Sequence, residues 1–207
     1  MIGSEEQARA YVADIGGDGA MAKLDQFSAM LRAENEEQNL VAQASLDSVW
    51  VRHIADSAQL VVHVSRETSP WLDLGTGAGL PGLVVAILCP AREVILVESR
   101  RRRIDWLERC ITGLGLKNCR VEGKRLELVD SFETAVISAR AFAPLPKLLD
   151  LSARFSTART EWVLPKGRSA EQEWAALKPK RRKLFHVEQS LTDKEAKILV
   201  GKGRVAS

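Results

Sequence analysis

The sequence predicts an α/β fold: a mostly parallel seven-stranded sheet with an antiparallel last strand, preceded by an N-terminal helical appendage. Three observations carry this. Short β-rich runs alternate with amphipathic helices from Pro70 onward, a glycine-rich turn follows the first run directly, and residues 1–68 carry helical periodicity instead.

In the appendage, Leu24, Phe27 and Leu31 share one helical face, and Leu46, Val49, Trp50, Ile54, Val61 and Val64 form a stripe that drifts around a second helix. The strands follow as WLDL (71–74), VILVE (94–98), CRVEG (119–123), AVISA (135–139), EWVLP (161–165), KLFHVE (183–188) and AKILV (196–200). The helix after the second strand buries Ile104, Leu107, Ile111 and Leu114, while Arg101 and Asp105 pair on its outer face. Only a few residues around Gln189 to Lys194 separate the last two strands, which predicts a hairpin. The expected organisation is an appendage over 1–68 and a core over 69–207.

Composition narrows the function classes. With 45% hydrophobic and 28% charged residues, 207 residues suffice for one sizeable core. The longest apolar stretches, such as Leu83 to Cys89, are too short to cross a bilayer, and Met1 to Ala13 does not read as a secretion signal, so a cytoplasmic protein is expected. Cys89, Cys110 and Cys119 are odd in number and scattered, as are His53, His63 and His186; neither a disulfide framework nor a metal site is expected. No apolar repeat suggests an interface, so a monomer is the expectation. Net charge is only +3, but basic residues clump at Arg100 to Arg103 and Lys178 to Lys183. Such clumps bind a polyanion only where another feature calls for one.

That feature is the run Asp73-Leu74-Gly75-Thr76-Gly77-Ala78-Gly79-Leu80-Pro81-Gly82, which leaves a strand and opens a helix. Glycines let backbone approach a ligand, the following helix start offers unpaired N–H groups, and Pro81 suits a first helical turn. Gly77, Gly79 and Gly82 also satisfy the dinucleotide pattern, with Glu98 about 20 residues on to hold a ribose. Two details favour S-adenosylmethionine over a dinucleotide: Asp73 would crowd a pyrophosphate but suit a cationic ligand, and no second catalytic domain follows. The reading is a Rossmann-like class I methyltransferase in which Glu98 accepts from both ribose hydroxyls.

With this loop, further motifs resemble the RsmG (GidB) family of 16S ribosomal RNA guanine-N7 methyltransferases, which act on guanine 527. They are Asn39-Leu40-Val41, Arg52-His53-Ile54-Ala55-Asp56-Ser57, Lys124-Arg125-Leu126-Glu127, Ser138-Ala139-Arg140-Ala141-Phe142-Ala143 and Lys166-Gly167, and the resemblance spans about residues 25 to 205. It implies that Gly75, Gly77 and Leu80 line a pocket for S-adenosyl-L-methionine, that Leu126 and Glu127 contact the adenine, and that Arg140 reaches the cofactor or the neighbouring base. It also implies a substrate of 16S ribosomal RNA, within the 30S subunit or an assembly intermediate. Guanine N7 has a free lone pair, so no general base is required; Arg140 and Lys166 become candidate substrate-orienting groups. Arg52 and His53 read equally as a substrate contact or as a polar lock between appendage and sheet. A small-molecule methyltransferase of the same fold is the competing reading, since fold alone does not fix substrate.

Overall fold

A computed structural model describes residues 1–65 and 67–205; Arg66, Ala206 and Ser207, the last two being the end of the expected core, lie outside the described residues. Seven strands form one sheet: β1 (Trp71–Leu74), β2 (Val94–Val97), β3 (Cys119–Glu122), β4 (Val136–Ala139), β5 (Glu161–Lys166), β6 (Phe185–Gln189) and β7 (Lys197–Lys202). Their order is β3-β2-β1-β4-β5-β7-β6, and only β7 runs against the others. The predicted hairpin is present, folded so that the last strand lies between β5 and β6.

The inner strands are buried because both faces are covered; β2 is wholly apolar, while β1 and β4 each carry one polar residue, Asp73 and Ser138. Side chains alternate across the sheet, sending Trp71 to one face and Leu72 and Leu74 to the other. On the first face lie α1 (Glu5–Glu37), α3 (Gly82–Leu88) and α4 (Arg101–Gly113), with Phe27, Leu31, Val84 and Leu107 in one cluster. On the second face, α5 (Leu145–Ser152) contributes Leu145, Leu148 and Leu149, which pack with Trp162. Two short helices, α6 (Ala170–Ala175) and α7 (Pro179–Arg182), connect β5 to β6. Strand order reverses between β1 and β4, so their carboxyl ends open a crevice where α/β folds bind ligands.

The helical appendage departs from its expected form in two places. The first helix ends at Glu37, before Asn39-Leu40-Val41, because the side-chain Oδ1 of the buried Asn35 takes the N–H groups of Leu40 (3.0 Å) and Val41 (2.9 Å) in place of helical partners. The second helix is a succession of turns: tight ones at Gln43–Ser48 and Gln59–His63, a wide π-helical stretch at Trp50–Ala55, and one α turn, α2, at Asp56–Ala58. Where the tight and wide turns meet, Glu5 accepts the N–H groups of Trp50 (3.1 Å) and Val51 (2.9 Å), joining the start of α1 to the passage. Arg9 stacks over the Trp50 ring at 4.2 Å.

Trp50 and Val51 are buried, so removing their acceptor leaves two N–H groups unpaired. Glu5→Ala should destabilise the fold by ~1–3 kcal/mol, read as a lower urea midpoint at unchanged slope; an unchanged midpoint would show that water satisfies these groups.

Candidate functional site

The site begins with a buried acid. Asp73, on β1, is completely buried; its Oδ1 accepts from the Ser138 hydroxyl of β4 at 2.7 Å, and its Oδ2 from the backbone N–H of Gly82 at 3.0 Å. Ser138 in turn accepts from the Trp71 indole at 2.7 Å. Burial pushes the Asp73 pKa up to about 6, against the lowering effect of the Ser138 and Gly82 bonds. This corrects two sequence expectations. Asp73 grips the glycine loop from within instead of meeting a cationic ligand, and the N–H of Gly82, expected to be open, is spent on it. Pro81 likewise caps α3, which starts one residue later.

The shaped loop borders a cleft of about 400 Å³ lined by Gly75, Glu98, Leu126, Glu127 and Phe142 among others, a size within the ~300–1,000 Å³ typical of small-molecule sites. Three backbone donors hold Glu98 here: Ser99 (2.7 Å) and Arg100 (2.9 Å) on Oε1, and Gly77 (3.2 Å) on Oε2. Arg103 stands 3.8 Å from Oε2. The carboxylate is therefore fixed in direction and keeps acceptor capacity on Oε2. Gly75 has φ +63°, and a Cβ there would lie 2.4 Å from the Phe142 ring. Only glycine lets that ring lie on the loop.

A second, larger cleft of about 900 Å³ adjoins the first, and Ala141, Phe142 and Ala143 line both. Ala141 holds the left-handed backbone (φ +53°) at this shared wall. The rest of the larger cleft comes from the appendage, from the end of β5 and from the hairpin, which contribute His53, Lys166 and Asp193 respectively. Its cations come paired with acids: Arg140 with Asp56 (3.5 Å), Lys166 with Glu173 (2.9 Å) and Arg52 with Asp193 (3.1 Å). His53 is buried, and its Nε2 lies 2.7 Å from the Ser45 hydroxyl. Burial, aided by Arg140 and Arg52, lowers its pKa to about 4, so the ring is neutral near pH 7.

The sequence-predicted residues thus divide. Gly75, Glu98, Leu126 and Glu127 line the smaller cleft, and Gly77 touches it through Glu98. Leu80 lines neither cleft; its side chain is buried in the core. Arg140 and Lys166 stand in the larger cleft with Arg52 and His53. Arg52 bonds Asp193 of the hairpin, and Asp56 Oδ1 accepts from Thr192 at 2.8 Å, so both make polar contacts between the appendage and the sheet, while both also line the larger cleft. Of the basic clumps, Arg102 is tied to the Glu37 carbonyl at the end of α1 (2.7 Å), whereas Lys178, Lys180, Arg182 and Lys183 are exposed. Sequence reasoning missed Ser45 and Glu173. Their partners lie eight and seven residues away across turns, where no single helix or strand carries both residues of a pair.

Among the described residues, no group of three or more His, Cys, Asp or Glu could hold a metal ion, and no helix is long and apolar enough to cross a membrane.

Comparison with known proteins gives the family and the fold. The sequence model of the family described as rRNA small subunit methyltransferase G matches residues 20–200. The chain is 62% identical to ribosomal RNA small subunit methyltransferase G of Erythrobacter litoralis, over 99% of each chain. It is 53% identical to the protein of that name from Novosphingobium aromaticivorans, over 96% of this chain and 88% of the relative. Among solved structures, the fold resembles a S-adenosylmethionine-dependent methyltransferase from Aquifex aeolicus (TM-score 0.56, 14% identity, 84% of this chain and 98% of that one). It also resembles a variant of MtNAS solved with S-adenosylmethionine (TM-score 0.57, 16% identity, 96% and 77%).

The raised pKa of Asp73 sets a pH dependence. A carboxyl with a folded pKa above its unfolded 3.8 stabilises the fold fully below 3.8 and loses that contribution as pH rises through about 6. Between pH 4 and 6 the wild type should lose ~1.4 kcal/mol per pH unit relative to Asp73→Asn, which cannot titrate. Parallel urea-derived stability profiles for the two proteins would contradict the assignment.

Proposed function

The chain belongs to the rRNA small subunit methyltransferase G family, and from that premise we propose that it transfers the methyl group of S-adenosylmethionine to N7 of a guanine in 16S ribosomal RNA. The position is the one numbered 527, and the substrate is the 30S subunit or an assembly intermediate. The same reading makes it a cytoplasmic enzyme that acts as a monomer. The observation that supports it best is the pair of adjoining clefts at the carboxyl ends of the strands: a small one sized for a cofactor and a larger one with room for a nucleotide and its neighbours, sharing the wall Ala141 to Ala143.

In this reading Glu98 accepts from the ribose, Leu126 offers backbone and Glu127 offers carboxylate to the adenine edge, and Gly75 keeps its stretch of loop free of a side chain. Gly77 acts by aiming Glu98, and Leu80 by packing beneath the loop. S-adenosylmethionine, when bound, supplies an activated methyl group on a sulfonium, so the protein has to align donor and acceptor rather than make a nucleophile. Guanine N7 carries no proton to remove, which fits a larger cleft whose cations are already paired with acids and whose histidine, with a pKa lowered to about 4, is a weak base. Arg140, held by Asp56, donates to guanine O6; Lys166, held by Glu173, sits on the far side and meets a flanking phosphate. The base must leave its stack to enter, because side chains cannot read a paired A-form major groove. The exposed basic residues of 178–183 then contact backbone phosphates, and binding weakens as salt rises.

The test is transfer of radiolabelled methyl to 30S subunits, free 16S RNA and a small-metabolite extract, with the labelled nucleotide mapped. Label at a single guanine N7 is expected; label only in the metabolite pool would make this a small-molecule enzyme. Glu98→Ala should weaken cofactor binding in calorimetry roughly 10–100-fold, the loss of a charged hydrogen-bond acceptor. Arg140→Ala should leave cofactor affinity within about twofold while lowering methyl transfer tenfold or more; the reverse pattern would put Arg140 on the cofactor.

A further inference from the structure

Hydrogen counting assigns the tautomer of His53. The Ser45 hydroxyl donates its one proton to the Ala42 carbonyl at 2.6 Å, so at its 2.7 Å contact with His53 Nε2 it can only accept. Nε2 therefore carries the ring proton, and Nδ1 presents a bare lone pair. That lone pair is buried and has no hydrogen-bond partner. The side chain is 7% exposed and lines the larger cleft. An unpaired acceptor in such a place opposes folding unless a ligand pairs with it. The low pKa of the ring keeps this acceptor available throughout the neutral range.

The chain connects the lining groups of the cleft in an order that can be laid around one base. Ala141 belongs to the wall shared with the smaller cleft, Arg140 precedes it in sequence, Arg140 reaches Asp56, and His53 lies one helical turn before Asp56. Around guanine, N7 is followed by O6, then N1–H, then the exocyclic amine. With N7 toward the shared wall and O6 toward the Arg140 guanidinium, the donor edge of the base faces the appendage. Its groups need acceptors, and the appendage supplies the Asp56 carboxylate and the His53 ring.

We propose that His53 is the specificity-determining acceptor for the exocyclic amine of the target guanine, with Ser45 as the positioning residue that fixes its tautomer. This rests on the guanine-N7 reading above and deepens it. It gives the appendage a part in recognising the base beyond closing one side of the cleft. It also assigns the histidine no proton transfer, since the acceptor stays unprotonated throughout.

The test compares guanine with inosine, which keeps N7, O6 and N1–H but lacks the amine. Both are placed at the methylated position of 16S RNA in reconstituted 30S particles, and kcat/KM is measured for each. The wild type should prefer guanine roughly tenfold, the value of one buried hydrogen bond. His53→Phe keeps the ring volume without the acceptor; it should lose that factor on guanine, change little on inosine, and bring the ratio near one. Ser45→Ala, which lets the ring proton move to Nδ1, should lower the ratio in the same direction, and it carries the test if His53→Phe does not fold. Cofactor affinity, a property of the other cleft, should stay unchanged in both variants. A wild-type preference retained by either folded variant would overturn the proposal while leaving the guanine-N7 reading intact. A wild type that methylates no guanine in the particle would remove both.

Discussion

Much of this molecule depends on one buried carboxylate. Asp73 links Ser138 on β4 to the N–H of Gly82 at the start of α3, and Trp71 completes the chain from β1. Those bonds join the two strands flanking the crevice to the loop that borders it. A carboxylate at full burial is unfavourable without compensation, and burial raises its pKa although its hydrogen bonds and the charge of Arg140 work to lower it. The arrangement survives because the alternative, an open loop with unpaired backbone donors, would also be unfavourable.

The loop so shaped leads to Glu98, and the same logic repeats. Three backbone N–H groups fix its carboxylate at the tip of β2 before any ligand arrives. Ligand recognition by a group already held in place loses little conformational entropy on binding. Phe142 extends the pattern: its ring rests on Gly75 because nothing larger than hydrogen stands there, and it forms part of the wall between the two clefts.

In the larger cleft the charges are arranged as pairs. Arg140, Lys166 and Arg52 each have a carboxylate partner drawn from a different element, so the appendage, α6 and the hairpin all contribute to one rim. Pairing orients each cation and keeps the cleft near neutral, which suits an uncharged base. The exposed basic residues around α7 lie outside this rim, beside the start of β6 and the amino end of β5.

The sequence by itself determined the strand runs to within about a residue or two, the parallel sheet with a reversed last strand, the glycine loop and Glu98. It could do so because these features rest on local periodicity, backbone sterics and spacing along a single strand-turn-helix unit. The irregular second helix, the early end of α1 and the inward turn of Asp73 were decided by tertiary structure. In each, a side chain distant in sequence or out of helical register captured a backbone or hydroxyl group: Glu5 that of Trp50, Asn35 that of Val41, Asp73 that of Ser138. Leu80 was legible as a loop residue but not as a core side chain, since burial depends on what α3 and the sheet bring against it. The larger cleft is wholly tertiary: Ser45, Asp56, Arg140, Glu173 and Thr192 share no periodicity, and only folding the appendage and the hairpin against the strand ends gives each its partner.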